Sequence, residues 1–452
     1  MSSSSIPLSN EESDVEVESA SAKAQRKKLQ KVQAEVDEVA GIMKTSIDKL
    51  IDRGENLDDL LESAEEIQKK AMSIKETTKQ IKQKIWWKNM KVLSESNYRR
   101  NDTGVKINPC KPNKNIVFLK VHKCGSSTVQ NILFRFGQKH DLDFVMPPKG
   151  NYLGNLRNST FNKKYMIELP VEKYNILCHH TRYNEQNIAD IMAPDSLYVT
   201  ILRDPVIMFE SIFTYTHYEQ VYNIKGNNPI TRLNKFLKNP SYFYNTEDAK
   251  SYLGHGKNPI LYDFGLENDE KYNGSRIGEL IKQLSDKFDL VMISDYFHES
   301  LILLKELMCW SLDDIVFFPL NSRTNVTVPS SITSSMRKKI RQWNKGDVKL
   351  YNYFNKTFWW KVEEFGRNRI EREVKLLKQR NEYLYKLCIE KISDDDENVW
   401  HPHDIFVNTF KVKDEMKDDF VCAAIAKSEL LYTAHLRTLT MRKYDLIEVP
   451  PG

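Results

Sequence analysis

The sequence lacks several features that would assign it to a common class. The 452 residues contain no run of about 18 apolar residues, the length that a membrane-spanning helix needs. The first residues lack the basic and apolar regions of a signal peptide, so none is expected there. The six cysteines form no CxxC pair, which argues against a zinc or redox motif. Gly and Pro number only 16 each, which indicates globular structure over most of the chain. The net charge of +5 is small for this length, so composition implies no nucleic-acid partner.

The N-terminal part has the pattern of a coiled coil. Residues 1–27 have few large apolar residues and are predicted to be disordered. Residues 28–91 carry apolar or small residues in a 3-4 spacing over many heptads, which predicts a long coiled-coil helix. Arg53 stands where this repeat requires an apolar residue, and a buried arginine needs acceptors from partner helices. The alternative is a solvated single helix, or a homodimer that tolerates Arg53.

This segment resembles a known family. "LQKVQAEVDEVAGIMKTSIDKLIDRGENLDDLLESAEEI" and the following "KQKIWWKNMK" are similar to the R-SNARE motif and juxtamembrane segment of synaptobrevin-type vesicle-associated membrane proteins. The resemblance implies that Arg53 forms a central layer with glutamines of syntaxin- and SNAP-type (Q-SNARE) helices. It also implies that Trp86 and Trp87 lie at a membrane surface. Where those proteins continue into a transmembrane helix, this chain continues into a polar segment, residues 92–114, which is predicted to be a linker.

Residues 115–445 have the pattern of an α/β domain. Four predicted strands are "NIVFLKV", "YNILCHHTRY", "SLYVTILRDP" and "FDLVMISDYF". Their near-continuous apolar character is typical of a parallel sheet buried on both faces. Helical patterns follow the strands, and residues 330–390 and 412–443 are predicted to be long amphipathic helices. Strands that alternate with helices predict a three-layer fold around a parallel sheet.

A polar loop follows the first of these strands. It contains Lys123, Gly125, Ser126, Ser127 and Thr128. A loop between a strand and a helix directs backbone N–H groups at an anion, although helix capping would explain one of the three hydroxyls equally well. In a Walker A loop the lysine follows the second glycine, whereas Lys123 precedes the single glycine here. The pattern therefore predicts an anion site and disfavours a nucleotide kinase.

A second candidate site lies in "VTILRDPVIMFESIF". Arg203 stands at the C-terminal end of a predicted strand, where open α/β sheets bind their ligands. Ser211 follows about two turns into the next helix. The alternative is that Arg203 pairs with Asp204 and that Ser211 is an ordinary surface residue.

Together the two sites resemble a second family. "FLKVHKCGSSTVQNILFRFGQKH", "HHTRYN" and "LRDPVIMFESIFTY", in this order, are similar to the Golgi galactose-3-O-sulfotransferases, as are "NPILYDFGL" and the segment around "AKSELLYTAHLR". The resemblance implies a P-loop-like sulfotransferase fold. It also implies transfer of a sulfuryl group from 3′-phosphoadenosine 5′-phosphosulfate to the 3-hydroxyl of galactose on a glycolipid such as galactosylceramide, or on a glycoprotein glycan.

The same resemblance implies roles for residues. The loop 123–128 would bind the 5′-phosphosulfate, and Arg203 with Ser211 would bind the 3′-phosphate. Lys123 would also stabilise charge on the leaving phosphate oxygen. No metal is expected, because no cluster of carboxylates or histidines at ligand spacing is visible in the sequence.

Histidines are the candidate bases, because a sugar hydroxyl is a poor nucleophile without one. His179 and His180 are adjacent on a predicted strand, so at most one faces the donor. The resemblance favours His180, but the sequence leaves His179 open. His122 is a third possibility, and we expect it to shape the loop.

The location has two conflicting expectations. The family implies the Golgi membrane, where its members work in the lumen. A chain without an apolar span is instead expected to stay cytosolic or peripherally bound, with its five sequons unglycosylated. The sequence also leaves open the exact acceptor and the pairing of the cysteines. An interaction protein that acts through the SNARE-like helix is the alternative function.

Overall fold

The described part of the chain is the C-terminal unit. The computed structural model describes residues 110–154, 159–245, 254–267, 270, 273–320, 332–393 and 408–446. Contacts divide the chain into Met1–Lys106 and Ile107–Gly452, and every described residue belongs to the second unit. The predicted disordered segment and the coiled coil with Arg53, Trp86 and Trp87 lie outside the described residues.

A parallel sheet of four strands forms the centre of this unit, in the order β2-β1-β3-β4. The strands are β1 (Ile116–Leu119), β2 (Ile176–Leu177), β3 (Leu197–Leu202) and β4 (Leu290–Ile293). In the register of the sheet, Ile116 lies opposite Ile176 on one side and Leu197 on the other. The strands are buried almost throughout, as expected when both faces of a sheet are covered. The predicted α/β character with a parallel sheet is confirmed.

Helices connect the strands. They are α1 (Ser126–Lys139) after β1, α2 (Glu185–Ala189) after β2, and, between β3 and β4, α3 (Pro205–Tyr215), α4 (Tyr218–Val221), α5 (Pro229–Phe236), α6 (Pro240–Tyr244), α7 (Pro259–Asp263) and α8 (Gly274–Lys287). Helices α3, α5 and α6 each begin with proline, after an Asp or Asn whose side chain accepts a hydrogen bond from an amide of the first turn. Both features favour the start of a helix at that position.

The C-terminal part contains helices in both regions predicted to be helical, 330–390 and 412–443, but it also contains a hairpin. After β4 come α9 (Phe297–Met308), α10 (Ser334–Trp343), α11 (Lys345–Phe365), α12 (Arg367–Cys388), the antiparallel hairpin β5 (Ile389–Ser393) and β6 (Thr409–Val412), α13 (Phe420–Ile425) and α14 (Glu429–Lys443). The helical region 330–390 is divided at Asn344 and at Gly366, whose φ of 101° is incompatible with a continuing helix. The region 412–443 instead begins in β6 and contains two separate helices.

Two disulfides join distant parts of the described chain. They link Cys110 to Cys309 and Cys388 to Cys422, whereas Cys124 and Cys178 are buried free thiols. The Cys388–Cys422 bond fastens α13 to the end of α12, and therefore restrains the segment that leads into α14. Within the described ranges, no helix combines the length and the apolar character that crossing a bilayer would take.

The order of the strands creates a crevice between β1 and β3. The chain leaves β1 to form β2 on one side, and leaves β3 to form β4 on the other side. Right-handed crossovers then place α1 on one face of the sheet and the helices after β3 on the opposite face. The loops that follow β1 and β3 consequently separate at the carboxyl edge of the sheet, which is where open α/β sheets bind ligands.

Candidate active site

The loop between β1 and α1 has an unusual backbone. Lys123 has a φ of 58° and Gly125 a φ of 76°, both in the left-handed region. This region is uncommon for residues other than glycine and is often occupied at functional sites. The hydroxyl of Ser126 donates to the carbonyl of Val121 at 2.8 Å and closes the loop. The loop leads directly into the N-terminus of α1, and the N-terminus of a helix favours an anion.

The three loop hydroxyls make tertiary contacts. Gly125 is the N-cap of α1, and no side chain caps this helix. Ser126 closes the loop, and the hydroxyl of Thr128 accepts a hydrogen bond from the amide of Leu320 at 3.2 Å. The hydroxyl of Ser127 donates to the carboxylate of Glu429 at 2.6 Å. Helix capping, the alternative interpretation of these hydroxyls, explains none of them.

Arg203 lies against this loop. Its Nη1 donates to the backbone carbonyl of Lys123 at 3.2 Å, and the ammonium of Lys123 lies 3.2 Å from the ring centre of Tyr215 on α3. Asp204, the alternative partner of Arg203, instead caps α3 and accepts a hydrogen bond from Arg341 at 2.6 Å. Ser211 is buried in the same helix with 5% exposure rather than lying on the surface. The two predicted sites therefore meet in the crevice between β1 and β3.

A buried ion pair between Lys120 and Glu429 contacts the loop through Ser127. The ammonium of Lys120 lies 3.1 Å from Ser127 Oγ, from His180 Nε2 and from Glu429 Oε2. The other carboxylate oxygen of Glu429 accepts from the side-chain amide of Asn151 at 2.6 Å. Burial works to raise the pKa of Glu429, but Lys120 and these hydrogen bonds hold it below its usual value. Glu429 therefore stays charged and connects the first turn of α14 to the loop 123–128.

The two adjacent histidines point in different directions. His179 is fully buried, its Nδ1 donates to the carbonyl of Val145 at 3.2 Å, and burial lowers its pKa to about 3. The ring of His180 stacks on that of His122, with 4.1 Å between ring centres. Burial, reinforced by Lys120 and two neighbouring imidazoles, holds the pKa of His180 well below its usual value. Of the two, His180 is the one that faces the loop.

His122 forms the centre of a second polar cluster. Its amide donates to Asp263 Oδ2 at 2.9 Å, and its Nδ1 lies 2.9 Å from the same oxygen. His255 Nε2 lies 2.8 Å from Asp263 Oδ1. Burial works to raise the pKa of the Asp263 carboxyl, but the two imidazoles hold it well below its usual range. Asp263 is therefore an ionised carboxylate that accepts hydrogen bonds from both imidazoles.

The same three side chains have the chemistry of metal ligands. Their ligand atoms lie within 4.8 Å of one another, and zinc takes imidazole and carboxylate ligands of this kind. The hydrogen bonds to Asp263 satisfy the buried carboxylate without a metal ion. Hydrogen bonds within the cluster thus stabilise the buried charge of Asp263. The same three side chains would also suit a divalent cation.

Four of these residues carried no prediction from the sequence: Lys120, Glu429, Asp263 and His255. Asp263 and Glu429 lie in segments that resemble the sulfotransferase family, but no local pattern connects them with the loop. They stand 141 residues beyond His122 and 302 residues beyond Ser127. A polar residue in a short, otherwise apolar helix such as "PILYD" was the one available signal for Asp263.

Comparison with known proteins gives two family matches. The galactose-3-O-sulfotransferase family matches residues 78–436, and the synaptobrevin family matches residues 28–94. Galactosylceramide sulfotransferase of Mus musculus is 36% identical over 310 residues, which cover 65% of this chain and 70% of that protein. Galactose-3-O-sulfotransferase 3 of Mus musculus is 34% identical over 275 residues, which cover 60% and 63%. Galactose-3-O-sulfotransferase 2 of Sus scrofa is 32% identical over 346 residues, which cover 72% and 84%. Both resemblances predicted from the sequence are confirmed.

Proposed function

This chain belongs to the galactose-3-O-sulfotransferase family and is a sulfotransferase, and we propose that it transfers a sulfuryl group from 3′-phosphoadenosine 5′-phosphosulfate to the 3-hydroxyl of galactose. Relatives named galactosylceramide sulfotransferase favour a glycolipid acceptor over a glycoprotein glycan. The observation that carries the proposal is the contact between Arg203 and the Lys123 loop at the carboxyl edge of the sheet.

The donor site in this proposal is the crevice between β1 and β3. The amides of Gly125 to Ser127, at the start of α1, bind the 5′-phosphosulfate, as anions bind at the N-terminus of a helix. Arg203 and Ser211 bind the 3′-phosphate from the β3 side, and Thr128 supports the loop through Leu320. The switch point between β1 and β3 supports a P-loop-like arrangement of this site.

The chemistry that we propose is an in-line displacement at sulfur. Its demands are similar to those of phosphoryl transfer, in which the protein positions the groups and stabilises charge. Lys123 stabilises the charge that develops on the leaving phosphate oxygen, together with the loop amides. Arg203 contacts the same residue, because its Nη1 donates a hydrogen bond to the Lys123 carbonyl.

The hydrogen bonding favours His122 as the base. A base needs a free lone pair, and His122 gives its Nδ1–H to Asp263, so its Nε2 keeps the lone pair. The Nε2 of His180 instead accepts from the ammonium of Lys120, which leaves its proton on a buried Nδ1 without a partner. The side chain of His122 is also 13% exposed, so an acceptor hydroxyl can reach it. We therefore assign the base to His122, oriented by Asp263, with His180 packed against it and His179 outside the reaction.

The function is tested with radioactive sulfate in the donor. The purified chain is expected to label galactosylceramide at O-3, and to do so in the presence of a metal chelator, because the proposed groups include no metal. Glucosylceramide, which differs at one hydroxyl configuration, is the matched control. Failure to label galactosylceramide and soluble β-galactosides alike would overturn the proposal, and loss of labelling with chelator would assign an ion to the His122, His255 and Asp263 cluster.

Arg203→Ala is expected to weaken donor binding more than turnover. Loss of a charge-assisted hydrogen bond to the 3′-phosphate predicts a Kd for adenosine 3′,5′-bisphosphate that is raised about 10- to 100-fold. The kcat at saturating donor should fall less than donor affinity, because Arg203 is assigned to the 3′-phosphate rather than to the reacting sulfur. Arg341→Ala, which removes the neighbouring partner of Asp204, is the control. Calorimetry that finds equal affinity for Arg203→Ala and the parent would reject the assigned phosphate site.

We propose that the enzyme unit works in an oxidising compartment, the Golgi lumen that its family implies. The Cys110–Cys309 and Cys388–Cys422 disulfides support this location, because disulfides are rare in the cytosol. Among the described sequons, Asn273 caps α8 with its side chain, whereas Asn355 lies within α11. A drop in mass on endoglycosidase digestion of the cell-expressed protein would support lumenal delivery, and an unchanged mass with reduced cysteines would support the cytosolic alternative.

A second candidate function rests on the synaptobrevin match to residues 28–94. In this proposal the N-terminal helix assembles with syntaxin- and SNAP-type helices, with Arg53 in the central layer and Trp86 and Trp87 at the membrane surface. Circular dichroism of residues 28–91 mixed with those partner helices tests it. A helical signal equal to the sum of the separate components would contradict the proposal.

A further inference from the structure

An exposed aromatic ring lies directly beside the histidines of the site. Tyr152 is 41% exposed, and its ring stacks on that of His180 with 5.0 Å between the ring centres. Its ring centre also lies 6.1 Å from that of His122 at an interplanar angle of 15°. The other large exposed aromatic side chains of the described residues, Tyr242, Tyr383 and Phe420, have no ring contact with these histidines. Tyr152 therefore combines an exposed ring with a position beside both histidines.

The backbone holds this ring in place. Tyr152 pairs with His180 in a parallel bridge, in which Leu153 N donates to His180 O at 2.8 Å and His180 N donates to Asn151 O at 3.3 Å. The side chain of Asn151 donates to Glu429, the carboxylate that also accepts from Ser127 in the anion loop. The segment that carries Tyr152 is thus tied both to the histidines and to the proposed donor loop.

A galactose unit has the matching chemistry. One face of the pyranose presents a patch of C–H groups, and these carry partial positive charge that suits the negative face of an aromatic ring. The hydroxyls stand around the edge of the sugar. A sugar packed on Tyr152 would therefore present its edge to the neighbouring His122, the group assigned as base. An exposed apolar ring beside polar groups is also typical of small-molecule sites.

We propose that Tyr152 is the aromatic platform of the acceptor site, on which the C–H face of the galactose rests while its 3-hydroxyl faces His122. This inference rests on the proposed function and extends it to the acceptor. It assigns the donor to the β3 side of the loop, through Arg203, and the acceptor to the opposite side, through Tyr152. The ring, rather than the phenol hydroxyl, makes the contact.

The test separates the ring from the hydroxyl. Tyr152→Ala is expected to raise the KM for methyl β-galactoside about tenfold, as for the loss of one aromatic contact, with the Kd for adenosine 3′,5′-bisphosphate unchanged. Tyr152→Phe keeps the ring and should behave like the parent. Tyr242→Ala removes an aromatic side chain of 68% exposure on α6 and is the matched control. An unchanged KM in Tyr152→Ala, or a parallel loss of donor affinity, would overturn the proposal.

Two further measurements keep the outcome decisive. If Tyr152→Ala does not fold, Tyr152→Leu retains the bulk without the aromatic face and carries the same expectation. Saturation-transfer NMR of methyl β-galactoside reports acceptor binding without turnover. A parent protein that binds the galactoside through Tyr152 but transfers no sulfate would contradict the proposed function alone. A parent that binds no galactoside would contradict the platform as well.

Discussion

Replacing His122 by alanine is expected to lower kcat about 10²- to 10⁴-fold, the range for removal of a general base. The reason is the hydrogen bond from its Nδ1 to the ionised Asp263, which leaves Nε2 as the free acceptor for the hydroxyl proton. Binding of adenosine 3′,5′-bisphosphate should be retained, because that ligand is assigned to the other side of the loop. Steady-state kinetics together with calorimetry of the donor product measures both quantities.

Two variants serve as controls for this prediction. Asp263→Asn keeps the shape of the side chain but removes the charge that orients His122, so it should lower kcat by a smaller factor than His122→Ala. His180→Ala removes the stacking partner of His122 and is expected to have the smaller effect of the two histidine changes. If His180→Ala abolished activity while His122→Ala retained it, the base would be His180, as the family resemblance favours. If neither change mattered, the base would be another group, with a carboxylate the first to test.

Replacing Lys123 by alanine is expected to lower kcat about 10²- to 10³-fold, as for removal of one group that stabilises the leaving oxygen. Folding should be unaffected, because the side chain extends over Tyr215 rather than into the core and alanine has the same backbone restrictions at a φ of 58°. The comparison of kcat with the thermal unfolding midpoint separates the two effects. Lys123→Arg retains the charge and should keep more activity than the alanine variant.

A matched control for Lys123 exists in the same domain. The ammonium of Lys164 also lies over a tyrosine ring, 5.0 Å from the centre of Tyr165, but it is outside the proposed site. Lys164→Ala should therefore leave kcat unchanged. Equal activity of Lys123→Ala and Lys164→Ala would show that Lys123 contributes no charge stabilisation and that the loop amides act alone.

Local patterns were sufficient for the elements of the core. The apolar runs at β1, β3 and β4 are typical of strands in a sheet that is buried on both faces. These strands could therefore be predicted without knowing which strands lie beside them. Helix starts such as Pro205 after Asp204 are also set by adjacent residues. The long C-terminal helices were predicted less well, because the break at Gly366 and the β5–β6 hairpin depend on backbone conformation and pairing that apolar periodicity does not report.

The sequence by itself determined the family, and it predicted an anion-binding loop after the first strand and a ligand-binding role for Arg203 after the third. These are short contiguous motifs, and their chemistry follows from neighbouring residues. Only the tertiary structure decided which groups surround the loop. Asp263 contacts His122 from α7, Glu429 contacts Ser127 from α14, and Tyr152 pairs with His180 from the segment before β2, because strand order and helix packing bring the ends of distant segments to one edge of the sheet. Whether a histidine can act as a base depends on which of its nitrogens is already engaged, and that is a property of three-dimensional neighbours rather than of position in the chain.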